Sequence, residues 1–535
     1  MPYQHTEVTR PIGINKDLSP YELRNETWSD GRNVAFDRQR CQSMKGYENV
    51  FDFTDTVIDP LFLIYYTDNI DRFWIYASEA AIYNTDGFTV NSIGSGYSAT
   101  REVNWNGTNF NSLIVMNNRN DHPQVLDPTA VQNEESFIGQ MIDLPNWAGP
   151  SPWGAASRAK VIRGYKNYLF ALDCYNENGT RYPSMVRWSS PAAAGDVPPS
   201  WDPVDPAEQA GLYTLADTPG AIVDGLTLSD YFVIYKTDSV WLVQFIGGSF
   251  VMSFRKLFGD EAGCLGTDCI AEFNGKHFVL STTGAYTHNG ATKQEVMEPW
   301  VKDEFFKNVS RDRLLETKVV ADHNKQEIWI YYVTDQAYLN NPNAWPDKAL
   351  VWHWDVQEWA LKDLTGISHI AEGVVEPTIQ GLDDSWDAAT GSWDTDLPAW
   401  NIQSSAQQTI GKGLLLADYT NNLLYANDYT NDHAGEPQLK WVERIGIDFD
   451  DDQTYKYIAR ITPHIIGQNP VTIKMFAEDN QTGKPTQVFE TEFNPINQQW
   501  TDCHFLGRYV GIRFESYNQF ILTGYSLEWE TAGTV

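Results

Sequence analysis

No run in this 535-residue chain approaches the ~20 consecutive apolar residues that a helix needs to cross a bilayer, so no membrane insertion is expected. Cysteine is scarce. Cys41, Cys174, Cys264, Cys269 and Cys503 are odd in number and scattered, which argues against a disulfide framework. Cys264 and Cys269 are close, but no second close pair completes a zinc ligand set. The expectation is reduced, structural thiols made in a reducing cytoplasm. Positive charge is also in short supply: 38 Lys and Arg stand against 71 Asp and Glu, a formal net charge of −33. A sequence-independent grip on DNA needs clustered cations to displace counterions, so that class of activity is disfavoured. The first ten residues are polar and include Glu7, and no secretory signal is expected.

Catalytic signatures are missing as well. Gly275-Lys276 runs into His277 without the preceding glycine of a phosphate loop. No Gly-x-Ser-x-Gly elbow and no His-Glu-x-x-His pair occurs. Asn84-Thr85-Asp86-Gly87-Phe88 only grazes the sialidase-type Ser-x-Asp-x-Gly-x-Thr-Trp box. With 71 carboxylates, close acidic pairs are inevitable and do not identify a glycosidase dyad. His353, between Trp352 and Trp354, reads as a packed strand residue rather than a ligand. The sequence therefore predicts no enzyme, no metal site and no cofactor.

Aromatic residues are abundant, with 20 Trp and 27 Tyr, and this excludes a disordered chain. The recurring pattern is a short apolar-aromatic run, a small turn and a second such run. Tyr231–Tyr235 with Val240–Phe245, turned at Thr237-Asp238, is one example; Ile328–Val333 with Leu350–Trp354 is another. Runs of four to six residues rich in Val, Ile, Tyr, Phe and Trp, bounded by Gly, Asn and Asp, are strand and hairpin signals. In Phe73-Trp74-Ile75-Tyr76 both faces are apolar, so such strands are covered on both sides. Only short helices fit, for example around Pro299–Asn308.

One second-strand marker per unit, Tyr83, Leu126, Trp188, Trp241, Tyr286, Trp352 and Tyr425, gives separations of 43, 62, 53, 45, 66 and 73 residues. Several equal the length of one four-stranded blade, and the longer ones imply insertions. The fold class predicted is all-β: a β-propeller of six or seven blades with loop insertions, followed by a C-terminal antiparallel β-sheet or sandwich. A series of β-sandwiches is the alternative. Trp-Asp dipeptides at 201, 354, 386 and 393 do not recur at blade length, so the WD-repeat type is not expected.

The domain boundaries follow. Residues 1–50 are expected as an extended segment packing on the propeller or a neighbour. Residues 51–435 form the propeller, with insertions near 127–160, 189–211 and 365–412. Prolines 191, 198, 199, 203 and 206 make the second insertion irregular. The third holds Ser385-Trp386-Asp387 and Ser392-Trp393-Asp394, read as turns; the carboxylates Asp383, Asp384, Asp387, Asp394 and Asp396 do not match a calcium loop. Residues 436–535 alternate more cleanly, with Val510, Ile512 and Phe514 on one face and Arg513 and Glu515 on the other, and read as a separate β-rich domain.

Charge is unevenly spread. Residues 191–439 hold 14 basic and 36 acidic groups, whereas 155–190 hold 6 and 2. Arg158, Lys160, Arg163, Lys166, Arg181 and Arg187 are therefore the candidate partner-contact residues, a patch for an acidic neighbour or a second copy. The bland alternative is a solvated face.

Arg10-Pro11-Ile12-Gly13-Ile14-Asn15-Lys16-Asp17-Leu18-Ser19-Pro20-Tyr21-Glu22-Leu23, running into Trp28-Ser29-Asp30-Gly31-Arg32-Asn33-Val34, resembles the N-terminus of tail nozzle proteins of short-tailed bacteriophages, also called tail hub or packaged-DNA stabilisation proteins. The Ser-Trp-Asp turns and the end, Gly507-Arg508-Tyr509 through Leu522-Thr523-Gly524-Tyr525, are similar to that group too. The resemblance implies a virion protein assembled in the host cytoplasm: a homo-hexameric ring below a portal and adaptor ring, with DNA passing through a central channel. It further implies contacts to a tail fibre or spike and to a needle or plug protein, and it carries over no catalytic residue. An acidic wall that does not grip phosphates fits such a channel. The rival expectation is a carbohydrate-binding or glycan-cleaving propeller.

Overall fold

In the computed structural model, residues 3–49, 51, 57–67, 72–87, 89–127, 129, 139–259, 262–375, 412–481 and 485–534 are described. The Ser-Trp-Asp turns and their five carboxylates lie outside them. Among the described residues, seven four-stranded antiparallel sheets follow one another along the chain, over 62–95, 106–143, 158–214, 222–258, 270–295, 318–363 and 369–427. They are the blades of a β-propeller, numbered 1 to 7 here. Each of the seven spacing markers falls on the third strand of its sheet: Tyr83 in Ala81–Thr85, Trp188 in Arg181–Trp188, Trp241 in Val240–Phe245 and so on to Tyr425 in Leu423–Asn427. That strand sits between two others and between neighbouring blades, and six of the seven markers are buried there while Tyr83 is half-buried.

The ring closes on itself. Blade 7 takes three strands from 369–427 and its fourth from Tyr47–Glu48, which pairs with Ala426 and Asn427. Gly46 sits hard against the Asp432 carbonyl, where a Cβ would collide with backbone. Blades 7 and 1 meet through their innermost strands, where Leu63 N donates to His369 Nδ1 (3.3 Å). Fastening the last blade with a distant strand makes opening the ring require the loss of a sheet, not merely a slip between faces.

The free edge of each innermost strand faces the propeller axis, and polar side chains from neighbouring blades satisfy it. Asn117 Nδ2 donates to Ala159 O (3.1 Å) and Asn106 Nδ2 to Lys160 O (3.0 Å); Ile162 N donates back to Asn106 Oδ1 (3.0 Å). This explains why asparagine is buried in otherwise apolar blades.

Ile12–Ile14 and Thr27–Trp28 pair as a short parallel ribbon, and the other remaining strands among the described residues form two packed sheets. One runs in the order Thr501–Gly507, Thr454–Ile466, Ile521–Thr534, Arg40–Ser43, Val34–Asp37, with Gln4–Thr9 also paired to Ile521–Thr534. The other runs Thr486–Phe493, Val471–Glu478, Tyr509–Ser516, Lys440–Ile447, Asp30–Arg32. Val510, Ile512 and Phe514 point into the core between them with Val442, Ile473 and Leu527, while Arg513 lies across the Trp441 ring (4.0 Å) and forms an ion pair with Glu515 (2.8 Å). Residues 4–43 are thus not a separate extended segment. They supply strands to both sheets, because Gln4–Thr9 and Asp30–Ser43 fill edges that the C-terminal strands leave open. Gly524 makes the tightest pairing possible: its φ of +155° and its contact with the Val8 carbonyl leave no room for a side chain.

The irregular 189–211 loop is present, between the third strand of blade 3 and its outer strand Gly211–Thr214. The helix Pro299–Asn308 connects blades 5 and 6 and buries Trp300, Val301 and Phe305. All five cysteines are buried and free.

Candidate functional site

The six cations of the 155–190 stretch do not share a surface. Arg163, on the innermost strand of blade 3, is buried. Its Nε and Nη2 donate to both carboxylate oxygens of Asp224 (2.9 Å each), and Nη2 also reaches Asp268 Oδ1 (2.9 Å). Burial works against its charge, but the two carboxylates outweigh that and raise its pKa. Arg187 is 1% exposed and lies among Trp147, Trp153 and Trp201, with ring centroids 4.8–5.5 Å from its guanidinium carbon. Burial lowers its pKa. Neither residue can meet a partner, which corrects the expectation of a contiguous basic patch.

The others are only partly buried. Arg181 is held by the buried Asp173 through two bonds (2.8 and 2.6 Å) and lines the same cavity as Lys160. Lys166 is 41% exposed, beside the rings of Tyr165 and Phe245. Arg158 caps the carbonyls of Asn120 (3.3 Å), Ala155 (3.2 Å) and Ser157 (2.8 Å). The signal for burial was present but local: Arg187 stands between Val186 and Trp188 in an apolar run. The partners of Arg163 gave no local signal, since Asp224 and Asp268 lie 61 and 105 residues away.

Lys160 and Arg181 belong to a different feature. A cavity of about 540 Å³ opens on the propeller axis, at the end where the innermost strands begin. Its wall takes residues within two positions of the start of the inner strand in six blades: Trp105, Lys160, Ile222, Asp268, Lys318 and Ser368. Arg101 and Arg313 flank it and share Glu316, at 2.5 Å and 2.7 Å. Arg101 also stacks on Trp345, 3.9 Å from the ring centroid, which fixes that side of the wall. Burial lowers the pKa of Lys160 against the pull of Asp173 and Asp224, and that of Lys318 against the pull of Asp268. Among the described residues, no group of three or more His, Cys, Asp or Glu side chains is placed to hold a metal ion.

No protein-family model and no curated protein sequence matches the chain. Among solved structures it is similar to the AfRom2 CNH domain, at 9% identity and a TM-score of 0.31, over 61% of this chain and 90% of that one. It is also similar to the Pan2 WD40 domain of Neurospora crassa, at 11% identity and a TM-score of 0.27, over 50% and 78% respectively. PorZ, a surface component of the type-IX secretion system of Porphyromonas gingivalis, aligns at 11% identity and a TM-score of 0.35, over 90% of this chain and 59% of PorZ. None of these likenesses bears on function.

Proposed function

We propose that the chain is a structural virion protein: a tail nozzle subunit of a short-tailed bacteriophage, six copies forming a ring with a central DNA channel. In this reading the ring sits below portal and adaptor, retains the packaged genome, guides its ejection and docks fibres or spikes and a plug. The observation that supports it most is where the cations go. Arg163, Arg187, Lys236, Lys318, Lys362, Lys440, Arg444 and Lys456 are buried, against the buried acids Asp173, Asp224, Asp322, Glu327, Asp418, Glu478 and Glu515. Burial therefore withdraws a larger share of the scarce cations than of the plentiful anions and leaves the −33 unneutralised. Counterions stay on a DNA strand that passes such a surface, so it slides rather than sticks. The N-terminal motif that carries the resemblance is structurally central: its Trp28 packs edge-on against Phe514 (6.1 Å) and Tyr525 (6.0 Å) in the sandwich core.

The test is particle counting by mass photometry and imaging by electron microscopy, with and without an adaptor ring. Six-membered rings with an open centre, and no retention of duplex DNA at low salt, are expected. A monomer in both conditions, or saturable glycan binding with hydrolysis, would replace this reading.

A further inference from the structure

We propose that the axial cavity is a binding site for a small oxyanion, the phosphate or carboxylate group of a compact ligand. The proposal does not depend on the nozzle reading. It starts from a contrast between buried lysines. Lys236 donates to Leu215 O (2.9 Å) and Thr218 O (2.5 Å), Lys362 to Lys45 O (2.9 Å) and Asn427 Oδ1 (2.8 Å), and Lys440 to Asn431 O (2.6 Å) and Tyr517 O (2.8 Å). Lys456 bonds Arg508 O (3.1 Å) and Asp451 O. Each ammonium is satisfied in place, as burial requires.

Lys318 breaks that pattern. It is 8% exposed and its Nζ has no hydrogen-bond partner. The closest carboxylate oxygen, Asp268 Oδ2, is 3.7 Å away, a long ion pair to a carboxylate whose other oxygen Arg163 holds at 2.9 Å. The ammonium of Lys160, half-buried on the same wall, makes no hydrogen bond and no ion pair among the described residues. Asp224, an acid on the adjacent inner strand, is taken at both oxygens by Arg163, and its Oδ2 also accepts from Asp268 N (2.9 Å). Arg163 holds both oxygens of Asp224 and one of Asp268, and Arg181 holds Asp173, so the carboxylates near the two lysines are shared with other cations. Two ammonium groups face one cavity, Lys160 without an ion pair among the described residues and Lys318 with only the long contact to Asp268, an arrangement that favours entry of something anionic.

The ligand must be small. The cavity volume of about 540 Å³ admits a compact molecule, not a folded segment. The exposed carboxylates Glu102 and Asp312 stand at its rim and repel a long polyanion, whereas a single phosphate or carboxylate passes and meets the cations inside. Arg119, also on the wall and without a bonded partner among the described residues, supplies a third cation on the way in.

The experiment titrates the full-length protein with inorganic phosphate in chloride buffer, by calorimetry and by thermal shift, with acetate as a second probe. One saturable phosphate site is expected, with melting temperature rising with ligand concentration. Lys160→Met and Lys318→Met should each weaken binding by at least tenfold, while Lys166→Met, remote from the cavity, leaves it unchanged. Equal binding of acetate identifies the ligand's group as a carboxylate, and preference for phosphate identifies it as a phosphate; both support the site. If Lys318→Met does not fold, Lys160→Met alone decides. Absence of saturable binding by both probes, or binding that survives Lys160→Met, overturns the proposal.

Discussion

Asn33 and Asp363 are joined twice across the seam between sandwich and propeller: Asp363 N donates to Asn33 Oδ1 (2.9 Å), and Asn33 Nδ2 donates to Asp363 Oδ2 (3.1 Å). Asn33 N further donates to Leu361 O (2.8 Å), and Nδ2 to Leu439 O (2.8 Å). The residue is 1% exposed with φ +57°, a conformation asparagine tolerates better than most side chains. One residue therefore extends the outer strand of blade 6 into the strands that serve the sandwich. Asn33→Ala leaves the Asp363 amide and the Leu439 carbonyl without their partners. It should lower stability by about 1–3 kcal/mol in urea unfolding. If the seam matters less than the two cores, the variant will unfold at the wild-type midpoint, and the coupling argued here fails.

Arg163 and Lys166 are three positions apart in sequence and should behave as opposites. Removing Arg163 leaves Asp224 and Asp268 facing each other in the interior, so Arg163→Met is expected to destabilise by about 3–5 kcal/mol. Lys166→Glu alters an exposed side chain and should stay within about 0.5 kcal/mol of wild type. Chemical denaturation of both variants checks the pair. Only Lys166→Glu is then usable for probing ring or adaptor contacts, since loss of assembly in an Arg163 variant would report misfolding. Comparable stability of the two would mean that Arg163 is not the internal tether described.

Arg187 gives a third expectation. Three tryptophans enclose its guanidinium, and both Nη atoms are buried without hydrogen bonds. Its attraction to the rings is then its main compensation, about 2 kcal/mol for a desolvated cation. Trp147 and Trp201 also pack edge-on at 4.7 Å, which ties the 189–211 loop to the 144–157 connection. Arg187→Ala should empty this cage, cost about 2–4 kcal/mol and red-shift tryptophan emission as water enters. An unshifted spectrum in a folded variant would place the tryptophans' stability elsewhere.

The propeller was legible because its strands announce themselves locally. A four-to-six-residue apolar-aromatic run needs cover on both faces, and the spacing of markers such as Trp188, Trp241 and Tyr286 already pointed to a repeated series of sheets. The sandwich was half legible. Tyr509–Ser516 alternates cleanly, whereas Thr501–Gly507 places Asp502 and His504 between its buried Cys503 and Phe505, with His504 at φ +55°, and reads as a loop. What escaped was everything set by distant pairing. Gln4 opposite Trp529, Tyr47 opposite Asn427 and Arg163 against Asp224 are unions that no local window contains. The basic stretch misled for the same reason: charge density along the chain says nothing about which way a strand faces. Lys160 was a candidate from its charge alone, as a surface contact; its place in the cavity wall follows only from the fold.

Acid should destabilise this protein through buried neutral histidines, and one relay shows why. Gly290 N donates to His288 Nδ1 (3.2 Å), which leaves His288 Nε2–H to donate to the Tyr235 hydroxyl oxygen (2.6 Å). Tyr235 O–H donates in turn to His277 Nδ1 (2.7 Å), and His277 Nε2–H to Thr227 O (2.9 Å). Every lone pair that could take a proton is already used, so protonating either ring breaks a link. Burial lowers His277 to about 4 and His288 to about 3; His433, stacked on Tyr47 at the ring closure, is lowered to about 2. The unfolded chain binds these protons near pH 6.5 and the folded chain does not. Stability from these groups is therefore complete above that pH and falls as pH drops through it, by about 1.4 kcal/mol per unit for each fully contributing group. Two carboxyls oppose them. Burial raises Asp322 to about 6 and Glu358 to about 7, so the folded state gains protons first and is favoured as pH falls from those values toward 4. Their help ends once the unfolded carboxyls are protonated too, near pH 4. The expected profile is a moderate loss of stability from pH 6.5 to 4.5 and a steeper one below. Glu358→Gln removes one opposing group, so it should be more stable than wild type at pH 8 and lose stability more steeply between pH 6.5 and 4.5. Urea midpoints at pH 8, 6.5, 5.5 and 4.5 decide it: stability that rises on acidification, or equal slopes in the two proteins, would show that the buried histidines do not govern the acid limb.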